Sequence, residues 1–164
     1  MTTAIVYTSR TGNTRLLAEA LEEVLPDCLY FGPPSPQALT ADRIYVGFWT
    51  NRGRCDGDTA EFLKTLSNQQ VFLFGTAGFG ENAAYFDKIV CRTARNLPRS
   101  AKLIGSYVCQ GKMPMTVRSR YEAMLARPIH PPHIKALLKN FDRALPHPDP
   151  QDLEALRSAV RTLP

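Results

Sequence analysis

The sequence predicts an α/β fold: a doubly wound, five-stranded parallel sheet covered by helices on both faces, with extra helices at the C-terminal end. Two observations carry that prediction. Five short apolar runs rich in strand formers recur between Thr3 and Cys109, and most are separated by segments of helical period. The runs are apolar at successive positions, so both faces of each strand are buried, as in a parallel sheet between two helical layers. At 164 residues, 44% hydrophobic and 21% charged, the chain suits one globular domain over residues 1–164 with a sizeable core.

Thr3–Thr8 (TAIVYT) reads as the first strand. From Asn13 the period changes: Leu16, Leu17, Ala20, Leu21, Val24 and Leu25 share one helical face, opposite Arg15, Glu19, Glu22 and Glu23, until Pro26-Asp27 ends the helix. Cys28–Phe31 is a short second strand running into the proline-rich GPPSPQ loop. Arg43–Phe48 (RIYVGF) is the third. The loop WTNRGRCDG follows, then a helix capped by Asp56 or Asp58 whose inner face is Phe62, Leu63 and Leu66. Val71–Gly75 is the fourth strand, TAGFGENAA a glycine-bearing loop, and the next helix buries Phe86, Ile89, Val90 and Leu97. Leu103–Cys109 is the fifth strand. Beyond it the chain reads as wholly helical: Val117–Ala126, Ile134–Leu145, and a helix opened by Asp149-Pro150 with the stripe Leu153, Leu156, Val160 and Leu163.

Composition narrows the function classes. No apolar stretch approaches the ~20 residues of a membrane span, and the start carries no secretion signal, so a cytoplasmic protein away from membranes is expected. Cys28, Cys55, Cys91 and Cys109 form no CxxC pair and no zinc spacing with His130, His133 or His147. They read as buried or half-buried reduced thiols. The net charge is +5. Residues 92–143 hold eleven Lys or Arg against two acids, whereas residues 1–91 hold seven against ten. The charges are spread singly without the interleaved aromatics of a nucleic-acid reader, so no nucleic-acid partner is expected. A solvated basic face or a docking surface for an acidic protein both suit this pattern.

Three loops leave the first, third and fourth strands on the edge where such sheets bind ligands. The first, VYTSRTGNT, gathers Ser9, Thr11, Asn13 and Thr14 around Gly12, with Arg10 its one charged side chain. It opens the first helix, whose free N–H groups and dipole favour an anion. This is a phosphate cradle of mainly neutral donors, and it is neither GxxxxGK[ST] nor GxGxxG. The second loop begins with Trp49, the single tryptophan, which either caps the core or presents a face to a planar ligand. The third, Thr76-Ala77-Gly78-Phe79-Gly80-Glu81, with Tyr85 beyond it, offers small residues and two further aromatics. Together they point to a phosphorylated planar molecule lying along the edge. The exit of the fifth strand, Gln110-Gly111-Lys112-Met113-Pro114, leaves on the same edge; it reads either as a tight turn with a solvated lysine or as a place where Lys112 or Gln110 contacts a partner or substrate beside the ligand.

With these motifs the chain resembles a flavodoxin from Thr3 to about Gly111 and beyond. The resemblance implies strand order 2-1-3-4-5 and FMN as cofactor at the switch between the first and third strands. It assigns the FMN phosphate to Ser9, Thr11, Gly12, Asn13 and Thr14. It assigns the flavin edge to Thr50, Asn51, Arg52 and Gly53 with Trp49 near the ring, and the third loop to Gly78, Gly80 and Glu81 with Phe79 or Tyr85 as second aromatic. Glu81 stands where the family usually has Asp. GFWTNRGRCDG, VCQGKMP and RSRYEAML are further similar to a BilS-like subgroup of flavodoxin-like proteins from anaerobic bacteria associated with bilin reduction.

The resemblance implies a monomeric one-electron carrier between a reductase and an acceptor enzyme, a bilin reductase among the candidates. An FMN-dependent NAD(P)H oxidoreductase acting on its own small substrate would use the same cradle and stays open. Flavodoxins are mostly acidic around the flavin; Arg10, Arg52 and Arg54 reverse that sign and imply acidic redox partners. A response-regulator receiver shares the topology but needs acids after the first strand and a phosphorylatable Asp at the end of the third. Thr8-Ser9 and Trp49-Thr50 stand there instead.

Overall fold

The computed structural model describes residues 1–80 and 82–164. Strands β1 (Thr3–Tyr7), β2 (Cys28–Gly32), β3 (Arg43–Asn51), β5 (Gln70–Ala77) and β6 (Lys102–Gln110) form a parallel sheet; a short β4 (Arg54–Cys55) pairs antiparallel with the end of β3. The order is β2-β1-β3-β5-β6, which is 2-1-3-4-5 once β4 is set aside. The helices are α1 (Asn13–Glu22), α2 (Gly57–Lys64), α3 (Ala83–Ala94), α4 (Met115–Leu125), α5 (Ile134–Ala144) and α6 (Pro150–Arg161).

The period-2 alternation of the strands divides the core in two. Ala4, Val6, Ile44, Val46, Val71 and Leu73 pack with Phe62 and Leu63 of α2 and Ile89 of α3. Ile5, Tyr45, Phe72 and Phe74 pack on the other face with Leu17, Ala18 and Leu21 of α1 and Leu156 and Val160 of α6. Each large side chain so buried contributes roughly 1.5–3 kcal/mol. Arg157 of α6 also donates to the carbonyl of Ala20 at 3.3 Å and pairs with Glu23 at 2.6 Å, fixing α6 across α1.

Several expectations are corrected. The segment after the third strand is a β-hairpin, not a loop: Thr50 pairs with Cys55 and Asn51 with Arg54. Its turn places Arg52 at φ 51° and Gly53 at φ 80°, the two left-handed residues of a type I′ turn. Arg–Gly is not the usual Asn–Gly signal, and so the hairpin was hidden. Thr76 and Ala77 belong to β5 rather than to the loop beyond it. Helix α1 ends at Glu22, and Leu16 is 39% exposed while Ala18 takes the inner face. Leu16 borders a notch with Leu145 and Pro146. Part of the proline-rich loop winds into a 3-10 turn, Pro36–Thr40, capped by the Ser35 hydroxyl. Leu97 lies beyond α3 but still packs on the core. Of the cysteines, Cys91 is exposed rather than buried; all four are free thiols.

Candidate functional site

The strands of the parallel sheet deliver their C-terminal ends to one edge, and the connections diverge between β1 and β3. A cleft of about 300 Å3 opens at that edge. Of the residues singled out in the sequence, it brings together Arg10, Thr11, Asn13, Trp49, Thr50, Thr76, Ala77 and Gly78.

The first loop is built around Gly12, which caps α1 at φ 90°, ψ −8°. A side chain would strain this left-handed conformation, although no atom lies within 4 Å of where a Cβ would sit. The Ser9 hydroxyl accepts from the N–H of Gly12 at 3.2 Å and of Arg15 at 3.3 Å, turning the loop back on the helix. Asn13 donates from its amide to the Lys112 carbonyl at 2.8 Å. The Thr14 hydroxyl, 1% exposed, donates to the Phe48 carbonyl at 3.1 Å. Asn13 and Thr14 therefore each spend a side-chain donor on the protein, whereas Ser9 acts as an acceptor. The backbone N–H groups of Asn13 and Thr14 have no acceptor among the described residues, and the Thr11 side chain stands exposed beside them. They leave a positive helix terminus facing solvent, which is the chemistry of an anion site.

The second loop is held to the first. The Thr8 hydroxyl donates to Asp56 at 2.6 Å, and Asp56, 3% exposed, also accepts from the N–H of Thr59 at 3.0 Å as the cap of α2. The hairpin thereby sets Trp49 and Thr50 on the cleft wall. The Arg10 guanidinium lies 5.4 Å from the Trp49 ring centroid, a cation–π contact. The Thr50 hydroxyl oxygen is buried and has no hydrogen-bond partner among the described residues. Asn51 and Arg52 turn away from the cleft into a separate groove, and Gly53 lies at the hairpin tip, where its carbonyl accepts from Arg92 at 3.4 Å.

In the third loop the Gly78 carbonyl accepts from Gln110 at 2.9 Å and from Asn140 of α5 at 3.0 Å; Gln110 also donates to the Asn140 side-chain oxygen at 3.0 Å. Asn140 is 4% exposed, while Gly78 and Gln110 are half-buried, so the network is anchored in the interior and reaches the cleft at Gly78. Phe79 is 41% exposed and, like Gly80, is not part of the cleft wall. Tyr85 packs with Phe86 against the α2–α3 side of the core. Burial pushes its phenol up, with Arg92 opposing. Glu81 lies outside the described residues.

The exit of the fifth strand, which the sequence puts on the ligand edge, supplies a fourth wall, and the share of α4 in it is what sequence reasoning missed. Gly111, Lys112, Met113 and Pro114, with Thr116, Val117 and Arg120 of α4, close the cleft opposite the hairpin. The exit of β6 is no free turn. The Gly111 N–H donates to the Ala77 carbonyl at 2.9 Å, the Lys112 carbonyl takes the Asn13 amide, and the Lys112 N–H reaches the His147 carbonyl at 2.8 Å. Met113 sits so near Gly78 that a Cβ there would lie 2.8 Å from its sulfur. The Lys112 side chain is exposed, as expected, but its backbone ties the first loop to the α5–α6 connector. A donor-rich exit from the last strand was the available signal. The position of α4 over it depends on tertiary packing.

A phosphate-sized anion at the α1 terminus and a flat ring against Trp49 suit this arrangement. A second depression, of about 560 Å3 between Pro33, Leu39 and Phe62, lies outside these loops and offers no comparable donor set. The family model described as Flavodoxin domain matches residues 4–161. The chain belongs to the flavodoxin family. It is 42% identical over 173 residues to the flavodoxin-like domain-containing protein BilS of Clostridium symbiosum (strain WAL-14163), covering 94% of this chain and 91% of the relative. Flavodoxin 2 from Bacillus cereus superposes with a TM-score of 0.52 at 16% identity, over 98% of this chain and 96% of that one. A Lactobacillus acidophilus flavoprotein in complex with FMN gives 0.53 at 14% identity, over 74% and 98%. At such identities the structural likeness speaks for the fold, which it places among the flavodoxins.

Proposed function

We propose that the chain binds FMN in the cleft between the β1, β3 and β5 loops and carries single electrons between a reductase and an acceptor enzyme. The observation that carries this reading is the pairing of two features on one edge. One is the unpartnered N–H groups at the start of α1, suited to a phosphate. The other is the orphaned, buried Thr50 hydroxyl beside Trp49, suited to the polar rim of a flavin. These residues fit the cofactor: Thr11, Gly12, Asn13 and Thr14 would hold the phosphate, and Trp49 and Thr50 the ring. Gly78, fixed by Gln110 and Asn140, would close the third side. The assignments of Ser9 to the cradle and of Asn51, Arg52, Gly53, Phe79, Gly80 and Tyr85 to the flavin surroundings are parts of the same proposal, with the latter group acting from outside the wall.

FMN supplies the redox chemistry when bound. The chain's own work is to seat the phosphate on a helix dipole, shield one side of the ring with Met113, Pro114 and Val117, and set the local charge through Arg10, Lys112 and Arg120. The excess of basic residues supports acidic redox partners, and the sequence resemblance to a BilS-like subgroup associated with bilin reduction makes a bilin reductase an acceptor to try. Four free thiols suit a reducing, cytoplasmic setting, and a monomeric state is part of the same proposal. Among the described residues no helix is long and apolar enough to cross a membrane.

Stepwise anaerobic reduction of the FMN-loaded protein, followed by its visible spectrum, tests the carrier role. Two resolved one-electron steps, with indifference to NAD(P)H until a reductase is added, are expected. Direct bleaching by NAD(P)H alone would replace the carrier with an NAD(P)H oxidoreductase.

A further inference from the structure

The hairpin of β3 and β4 is a wall with two sides. Thr50 faces the cleft, while Asn51 and Arg52 face a groove of about 630 Å3 that runs between the hairpin, α2 and α3. Arg52 and Arg54 come from the hairpin, Arg92 and Arg95 from α3, and Lys64 from the end of α2. Lys64 pairs with Glu61, the one acid among the described residues that line the groove. The four arginines are exposed, and none has an ion-pair partner among the described residues. Four like charges collected without counter-charges destabilise the isolated protein through self-repulsion, so their gathering calls for an anion brought from outside.

The other basic region is organised differently. Arg118 of α4 pairs with Glu122 at 2.9 Å and with Asp142, and stacks over Phe141 at 5.6 Å, so part of that charge serves the α4–α5 contact. A dispersed, partly neutralised surface offers a partner less than an open groove of forked guanidinium groups, which match carboxylates in bidentate geometry.

We propose that the Arg52–Arg54–Arg92–Arg95 groove is the docking surface for an acidic protein face, the face of the redox partner. This rests on the carrier reading given above. Protein carboxylates suit the groove better than a nucleic acid, because its lining includes no aromatic side chain on which a base could stack. The amides of Asn51 and Asn96 add hydrogen-bonding groups at its ends. Seated there, the partner lies directly behind the strand that forms the cleft wall, one residue from Thr50. Docking and electron transfer then share one hairpin, and the Arg92 hydrogen bond to the Gly53 carbonyl couples α3 to its tip.

Two linked measurements test this. Hexaglutamate is titrated into 15N-labelled protein without added flavin, and the FMN-loaded, reduced protein is oxidised by ferricyanide and by hexaamminecobalt(III) at several ionic strengths. The proposal expects hexaglutamate to shift the amides of residues 51–55 and 92–96 ahead of those in α4 and α5. It expects Arg92→Gln/Arg95→Gln to weaken that binding and to slow ferricyanide oxidation by about tenfold at low salt, without slowing the cobalt complex. The control Lys135→Gln/Lys139→Gln, on α5, should change either readout by less than twofold. Equal effects of the two double variants, or shifts centred on α4 and α5, overturn the proposal. Should the protein take up no FMN, the hexaglutamate titration still decides the groove, so failure of the cofactor reading and failure of the docking surface are separate results.

Discussion

Thr50 is the residue at which the function is most exposed to test. A buried hydroxyl without a partner destabilises a fold by about 1–3 kcal/mol, and proteins keep such groups where something else uses them. Thr50→Val removes the unpaired group at nearly constant shape. The apo-protein should gain about 1 kcal/mol in urea unfolding, while FMN affinity should fall by about tenfold. Unchanged affinity would take Thr50 out of the site. Legibility at this scale was uneven. The hydroxyl-rich VYTSRTGNT announced an anion site because few other reasons collect so many donors about one glycine. It could not show that Ser9, Asn13 and Thr14 spend their side chains on the Gly12 and Arg15 N–H groups, the Lys112 carbonyl and the Phe48 carbonyl, because those partners are set by folding. Arg120, on α4, escaped for the same reason.

At the scale of elements, α6 shows how a local signal becomes a global clamp. Asp149-Pro150 marked its start, and Asp149 and Asp152 form a reciprocal capping box, with His147 bonded to Asp152 at 2.6 Å. The N–H of Asp152 holds the Asp149 carboxyl below the ordinary aspartate range, with His147 adding to the effect. A carboxyl depressed in the folded state stabilises fully above its unfolded pKa, and that contribution is lost as pH falls through the folded value. Asp149→Ala should therefore lower Tm by roughly 2–4 °C at pH 7, and the gap to wild type should close by pH 2. A gap independent of pH, measured by circular dichroism melts, would mean the cap does not act through its charge. The β3–β4 hairpin was the element least legible, because its turn uses Arg52 where a left-handed Asn would have advertised it.

Across the whole molecule, strands apolar at successive positions made a parallel sheet readable, and the resemblance to flavodoxins supplied its order. The C-terminal ends of the strands named the edge where a ligand belongs. The outer strands depart from the pattern, with Leu29 of β2 and Leu103 of β6 exposed. What sequence could not give was the division of charge: eleven basic residues between 92 and 143 look like one surface in a row of letters. Folding places Arg92 and Arg95 with the hairpin arginines and leaves Arg118 to its own acids. The central claim is that the α1 terminus grips a phosphate while the neighbouring loops hold a flavin ring. The most direct test is a fluorescence titration of the apo-protein with FMN and, in parallel, with riboflavin, which lacks the phosphate. Saturable one-to-one quenching by FMN, with riboflavin at least ~100-fold weaker, is the predicted result. Equal affinity for the two, or no quenching by FMN, would contradict it.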